Sequence, residues 1–351
     1  MANIDPNNRF VQRLNAGETI VCGEGYLFEI ERRGYLCLGH FVPTVVVDNP
    51  EAVKQLHREM INCGSDIILA FTYYAHKERL AKVGKEHLVD EINKKALEIA
   101  KEVMAEPGNE NVLLAGNICN TNLYQNNEES KKVVLEMFRE QCRSAKEAGA
   151  ELIIAETIGW LGEAELALQA INEVNLPSVI NLSFHQKDTT KTTDGFSIEE
   201  TYTRLRNQGA TVVGSNCHLG PNDILKVGEV IRKTIEGPIS LLPVTYRTNN
   251  CGFFHLENQD ETKLETSKAF PDSMEYYMST RGEIAKFGYE CKQLGIQFVG
   301  LCCGSSPYLL RALCNGVGKS CRADKFNVDM SKHFKFGDKA LDVNKEKYYK
   351  G

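Results

Sequence analysis

Along the chain, short runs of apolar residues alternate with longer stretches in which apolar positions recur every three or four residues. The first pattern marks strands buried on both faces and the second marks amphipathic helices; their alternation predicts parallel strands joined by crossover helices. Eight apolar runs stand out: Thr19 to Cys22, Asp66 to Phe71, Val112 to Gly116, Leu152 to Ala155, Ser178 to Leu182, Thr211 to Gly214, Ile239 to Leu242 and Gln297 to Gly300. The stretches of helical period between and after them include Pro50 to Asn62, Glu86 to Ala105, Glu128 to Ala148 and Gly162 to Glu173. Ile198 to Gln208, Asn222 to Thr234, Thr280 to Leu294 and Pro307 to Cys314 complete the set.

Eight strands, each followed by a helix, predict an α/β fold of the (β/α)8 TIM barrel class. Gly64, Gly149, Gly209 and Gly295 each sit just before a strand, where the glycine that ends a helix belongs. The barrel is expected over residues 1–317. Residues 318–351 turn lysine-rich and polar, with HFKFGDK and NKEKYYK, and read as a C-terminal arm or tail crossing the surface or a neighbouring subunit.

Composition narrows the partners. With 42% hydrophobic and 25% charged residues the 351-residue chain has the balance of a soluble globular domain. Lys and Arg number 41 against 47 Asp and Glu, so no basic field exists to attract nucleic acid. The polar start MANIDPNNRF lacks a secretory core, and no apolar run approaches the roughly 20 residues of a membrane span, so the expected location is the cytoplasm. The 12 cysteines follow no regular spacing and are expected to be reduced. Cys22, Cys37, Cys63, Cys142 and Cys291 read as small buried hydrophobes.

In such barrels the chemistry lies at the C-terminal ends of the strands. Glu24 follows the first, Phe71-Thr72-Tyr73-Tyr74 closes the second and Glu156 follows the fourth. Cys217 follows the sixth, Tyr246 the seventh, and Cys302 and Cys303 the eighth. Three thiols at one mouth match a zinc site with one position open, with burial in a core as the competing reading of the adjacent pair. His218 neighbours Cys217 on an extended segment and is expected to point away. Phe41, Tyr73, Tyr74 and Trp160 offer ring faces that would recognise a quaternary cation, although ordinary packing is the default role of each. Glu24 and Glu156 could take an ammonium; alone, either would more often be solvated or salt-bridged. No phosphate loop, hydrolase elbow or catalytic triad is present.

GSNCH around Cys217 and GLCCGSSPYLLRAL around Cys302 and Cys303 resemble the zinc motifs of homocysteine S-methyltransferases. NPEAVKQLHREMINCGSDIILAFTYYA, AGAELIIAET and MSTRGEIAKFGYECKQLGIQFVGLCCG resemble its betaine–homocysteine methyltransferase branch, and the likeness runs from about Phe10 to Val317. It implies a (β/α)8 barrel with one Zn2+ per subunit on Cys217, Cys302 and Cys303, and the homocysteine sulfur at the open position. The implied reaction transfers a methyl group from an onium donor, betaine or a sulfonium such as dimethylsulfoniopropionate, to homocysteine, giving methionine. Glu24, Gly25, Phe41, Tyr73, Tyr74, Glu156 and Trp160 are the implied substrate-binding residues, with Glu156 and Tyr74 the catalytic ones.

Departures from the family pattern bear on specificity. Glu24-Gly25-Tyr26 replaces an aspartate followed by two glycines, Phe41 stands where Trp is usual, and Thr157 stands where betaine-specific members carry Tyr. Either Trp160 partly replaces that tyrosine or the pocket is shifted toward a sulfonium. Arg281 is read as scaffolding at the barrel top, Asn216 as orienting the Cys217 loop, and His185 as a loop residue on the same face. The alternatives are S-methylmethionine or S-adenosylmethionine as donor, a sulfonium lyase, and a non-catalytic binding barrel. A homodimer is expected.

Overall fold

The computed structural model describes residues 4–184, 188–248, 252–257 and 268–339. Its eight parallel strands close into a barrel in the order β1 to β8. They are β1 (Ile20–Gly23), β2 (Ile67–Leu69), β3 (Leu113–Cys119), β4 (Leu152–Ile158), β5 (Ser178–Leu182), β6 (Val212–Asn216), β7 (Ile239–Leu242) and β8 (Phe298–Leu301). Closure comes where β1 pairs with β8, Ile20 opposite Phe298 and Gly23 opposite Leu301. Every strand residue is buried, which is why the runs read as continuously apolar.

The α-helices among the described residues are α1 (Arg9–Asn15), α2 (Tyr26–Arg32), α3 (Val45–Asp48), α4 (Pro50–Asn62), α5 (Lys77–Ala81), α6 (Val89–Met104), α7 (Glu128–Glu147), α8 (Leu161–Glu173), α9 (Ile198–Asn207), α10 (Pro221–Thr234), α11 (Arg281–Gln293) and α12 (Pro307–Gly316). The eight predicted helices are α4 and α6 to α12, the outer ring. Local signals set their ends: Pro50, Pro221 and Pro307 open α4, α10 and α12, while Thr280 and Glu283 form a reciprocal capping box at α11. None of the described helices is long and apolar enough to cross a membrane.

β1 and β8 are shifted by one residue from expectation, β6 runs on to Asn216, and three other strands differ more instructively. β2 stops at Leu69, because the Thr72 N–H turns back to the Ala70 carbonyl and its hydroxyl bonds the Asn117 carbonyl. β3 and β4 run past Gly116 and Ala155, since polar residues near the barrel mouth continue the ladder, with Cys119 opposite Glu156. Cys37 is a correction: it is exposed, lying on the surface connection between α2 and α3, whereas Cys22, Cys63, Cys142 and Cys291 are buried. All described cysteines are unpaired. His185 lies outside the described residues.

The floor of the barrel is closed by charge. Asp66, at the entry to β2, accepts from Arg13 of α1 at 2.6 Å and from Lys319 at 2.7 Å, and also from the Val21 N–H. Lys319 also donates to Glu18, so the first residues after α12 are fastened to the N-terminal segment. Phe10 of α1 packs edge-on against Phe298 beneath the strands. The mouth at the opposite end is where the predicted chemistry gathers.

Candidate active site

Three sulfurs converge at the mouth from the ends of β6 and β8. Cys217 Sγ lies 3.6 Å from Cys303 Sγ, and Cys302 Sγ lies 4.0 Å from Cys303 Sγ. All three lie within 4.8 Å of one another. Tetrahedral zinc–thiolate bonds of about 2.3 Å would set ligand sulfurs about 3.8 Å apart, so the spacing fits such an ion. Charge argues the same way. Hydrogen bonds from Cys302 and then Cys303 pull the Cys217 thiol down to about 5, while that sharing raises the other two, so a cation is needed to ionise all three together.

The backbone around the sulfurs is contorted. Cys217 and His218 both have positive φ, 59° and 57°, and the His218 ring lies against Phe253 and Phe254. Gly25, at φ 78°, passes so close to β8 that a Cβ there would lie 2.1 Å from the Cys302 carbonyl oxygen. The glycine is therefore required by the approach of β1 and β8 below the thiols.

Beneath the sulfurs lie two buried carboxyl groups. Glu156 Oε1 accepts from Asn117 Nδ2 at 2.6 Å and Oε2 from Asn216 Nδ2 at 3.2 Å. Burial, and then the charge of Cys302, push Glu156 up to about 8 against those two amides. Glu24 is fully buried, one of its oxygens has no partner, and burial followed by the charge of Glu156 raises it far above the ordinary range. Glu24, Glu156 and Cys302 bring ligand atoms within 4.8 Å. Two adjacent acids kept protonated by their surroundings form a niche that an incoming ammonium would stabilise.

Asn216 holds this niche together. Its Oδ1 accepts the Thr157 N–H at 2.7 Å, and its Nδ2 also reaches the Thr157 hydroxyl at 3.1 Å and the Cys302 sulfur at 3.7 Å. Thr157 itself has φ 58°, an uncommon conformation for a β-branched residue.

Above the sulfurs opens a cavity of about 590 Å³ whose lining includes Phe41, Tyr73, Tyr74, Thr157 and Trp160 together with Cys217 and Cys303. Tyr73 and Tyr74 have ring centroids 4.4 Å apart, Asn120 donates to the Tyr74 hydroxyl, and Trp160 packs near Tyr124. Phe41 stacks on Phe270 at 6.0 Å. The structure thus brings Glu24, Gly25, Phe41, Tyr73, Tyr74, Glu156, Trp160 and the three cysteines to one end of the barrel. Tyr246 stands apart from the lining: it is buried, stacked on Phe253, and accepts from Arg32 at 2.9 Å. Arg281 is exposed at the start of α11, its guanidinium over the Tyr308 ring.

Several lining or supporting residues had no reading in the sequence: Asn117, Tyr124, Phe253, Phe254, Phe270 and Arg79. Asn117 was within reach, since carrying the third strand one residue beyond Gly116 places it at the mouth. Phe253 and Phe254 sit far along the loop after β7, where no periodicity points inward.

Over residues 25–317 the chain matches the family model for homocysteine S-methyltransferase. It is 30% identical over 312 residues to betaine–homocysteine S-methyltransferase 1 of Mus musculus, covering 86% of this chain and 73% of that protein. The corresponding protein of Xenopus tropicalis is 32% identical over 324 residues, covering 89% of this chain and 76% of its own length. S-methylmethionine–homocysteine S-methyltransferase BHMT2 of Mus musculus is 30% identical over 304 residues, covering 86% and 79%. In fold, the chain is similar to the metallated form of the homocysteine methyltransferase MmuM from Escherichia coli, with a TM-score of 0.66 at 18% identity over 87% of this chain and 99% of that one. The matched span takes in the glycine under the thiols, Glu156 of the carboxyl niche and all three cysteines, and the chain belongs to the homocysteine S-methyltransferase family.

Proposed function

We propose that this protein transfers a methyl group from an onium donor, betaine or a sulfonium, to the thiol of homocysteine, releasing methionine, with zinc on Cys217, Cys302 and Cys303. The observation that carries the proposal is the stacking of three layers in one mouth: buried carboxyl groups, three sulfurs within 4.8 Å, and an aromatic cavity. Zinc, when bound, supplies the positive charge that keeps thiols ionised near neutral pH.

The chain's own residues do the rest. Glu24 and Glu156 receive the amino-acid ammonium, and each gives up its proton more readily once that charge is present. The faces of Tyr73, Tyr74 and Trp160 attract the methylated cation. In the transfer the sulfur–carbon bond forms as the carbon–heteroatom bond breaks, so the donor leaves neutral at that atom and homocysteine has lost its thiol proton. The surrounding rings exclude water and align the two reactants, a large share of the rate gain. A reducing compartment such as the cytoplasm suits the unpaired thiols. For a homodimer, the support is the apolar surface after the barrel, where Phe326, Val328 and Phe334 are exposed.

A sulfonium donor is the second reading, favoured by Thr157, which puts a short side chain in the lining, and by the equal similarity to BHMT2. The test is methionine formation by zinc-loaded protein from homocysteine with betaine, dimethylsulfoniopropionate and S-methylmethionine as separate donors. Methionine from one or more identifies the donor class. A zinc-loaded protein that makes none from any donor refutes the proposal.

A further inference from the structure

The donor cavity holds a permanent cation. Arg79 of α5 lines it, and its guanidinium carbon lies 4.3 Å from the centroid of the Tyr74 ring. Among the described residues Arg79 forms no ion pair: the neighbouring Glu78 is taken by Lys82 at 2.9 Å. Its one hydrogen bond among the described residues, to the His40 carbonyl, is long at 3.3 Å, and its Nε is buried without a described partner. A guanidinium carries five donors arranged for a planar oxyanion, and here Nε is buried without a described acceptor.

A resident positive charge beside Tyr74 is a paradox for a pocket meant to take an onium group, since like charges repel. The conflict disappears when the donor brings its own negative charge. Building on the onium-donor reading above, we infer that Arg79 anchors a carboxylate carried by the methyl donor, so that the cavity selects zwitterionic onium carboxylates over bare onium cations. Arg79 is then a specificity-determining residue: it binds the end of the donor that does not react and sets which end faces the thiols. Among the described residues the lining contains one carboxylate, Glu163, whose Oε1 accepts from the Thr121 N–H and hydroxyl and which forms no ion pair with Arg79.

Trp160, the only tryptophan of the chain, lines the same cavity and reports occupancy by its fluorescence. The experiment titrates zinc-loaded full-length protein with betaine and, separately, with tetramethylammonium, comparing wild type, Arg79→Gln and Arg79→Lys. Loss of a charge-assisted pair predicts about 10- to 100-fold weaker betaine binding in Arg79→Gln. Arg79→Lys falls between, and tetramethylammonium binds Arg79→Gln at least as well as wild type. Unchanged betaine affinity in Arg79→Gln, equal loss for both ligands, or failure of betaine to bind the wild type overturns the inference. Because binding is read without turnover, Arg79-dependent binding in a protein that makes no methionine leaves this inference standing while refuting the methyl-transfer reading.

Discussion

Replacing Asn216 by alanine tests how the carboxyl niche is held. Asn216 is fully buried, and its side chain satisfies the buried Thr157 N–H, one oxygen of Glu156 and the Thr157 hydroxyl. Alanine leaves the backbone N–H without an acceptor, at a cost of about 1–3 kcal/mol, and removes a second bond worth about 1 kcal/mol. Thr157 is then free to abandon its positive φ, which returns about 1 kcal/mol or more of strain but swings the adjacent Glu156 carboxyl out of place. The net loss is about 1–3 kcal/mol, below the total stability of an ordinary domain, so the barrel persists. At about 2 °C per kcal/mol for a chain of this size, Tm should fall by about 2–6 °C. The assay pairs calorimetric Tm with homocysteine affinity: the thiol substrate should bind at least about tenfold more weakly, with donor affinity little changed. Asn216→Asp separates the two jobs, because it retains an acceptor for Thr157 but sets a second carboxylate beside Glu156, so its stability should decline as pH rises. An alanine variant with unaltered Tm and homocysteine affinity would refute the clamp.

Further expectations follow from other contacts. Gly25→Ala forces a Cβ against the Cys302 carbonyl and strains a positive φ, so zinc per chain, measured by elemental analysis, should drop well below one and Tm should fall with it. Trp160→Ala should raise the donor KM about 3- to 30-fold, the range of a desolvated cation–ring contact, and leave the homocysteine KM in place; an unchanged donor KM removes Trp160 from the pocket reading. At the barrel floor, Arg13 and then Lys319 hold the Glu18 carboxyl down at about 2. A lowered folded value means its stabilisation is complete above about 4.5 and fades as pH falls toward 2; the part-exposed setting keeps the size modest. Urea unfolding of Glu18→Gln against wild type should therefore differ at pH 7 and converge near pH 2.

The barrel was legible because its strands are buried on both faces, so each reads as a short, largely apolar run between helical stretches. The convergence of the three thiols was legible for a related reason, since Cys217, Cys302 and Cys303 sit just past such runs and the fold sends all those ends to one mouth. Residues outside that rule were not. Arg79 lies on a single short helix within a connection, Phe270 and Phe253 on the long segment after β7, and their meeting depends on loop paths that hydrophobic period does not encode. Cys37 was misread for the same reason: a thiol in a polar connection carries no periodicity to show which way it faces.

The contact between Gly25 and Cys302 joins the first strand of the barrel to the last. A nascent chain that has emerged only through β7 carries Cys217 but neither partner sulfur, so the proposed metal-binding set does not exist until β8 has been made and the cylinder has shut. On the proposed zinc reading, ion capture waits for closure of the barrel, and the metal content of a preparation would count closed barrels.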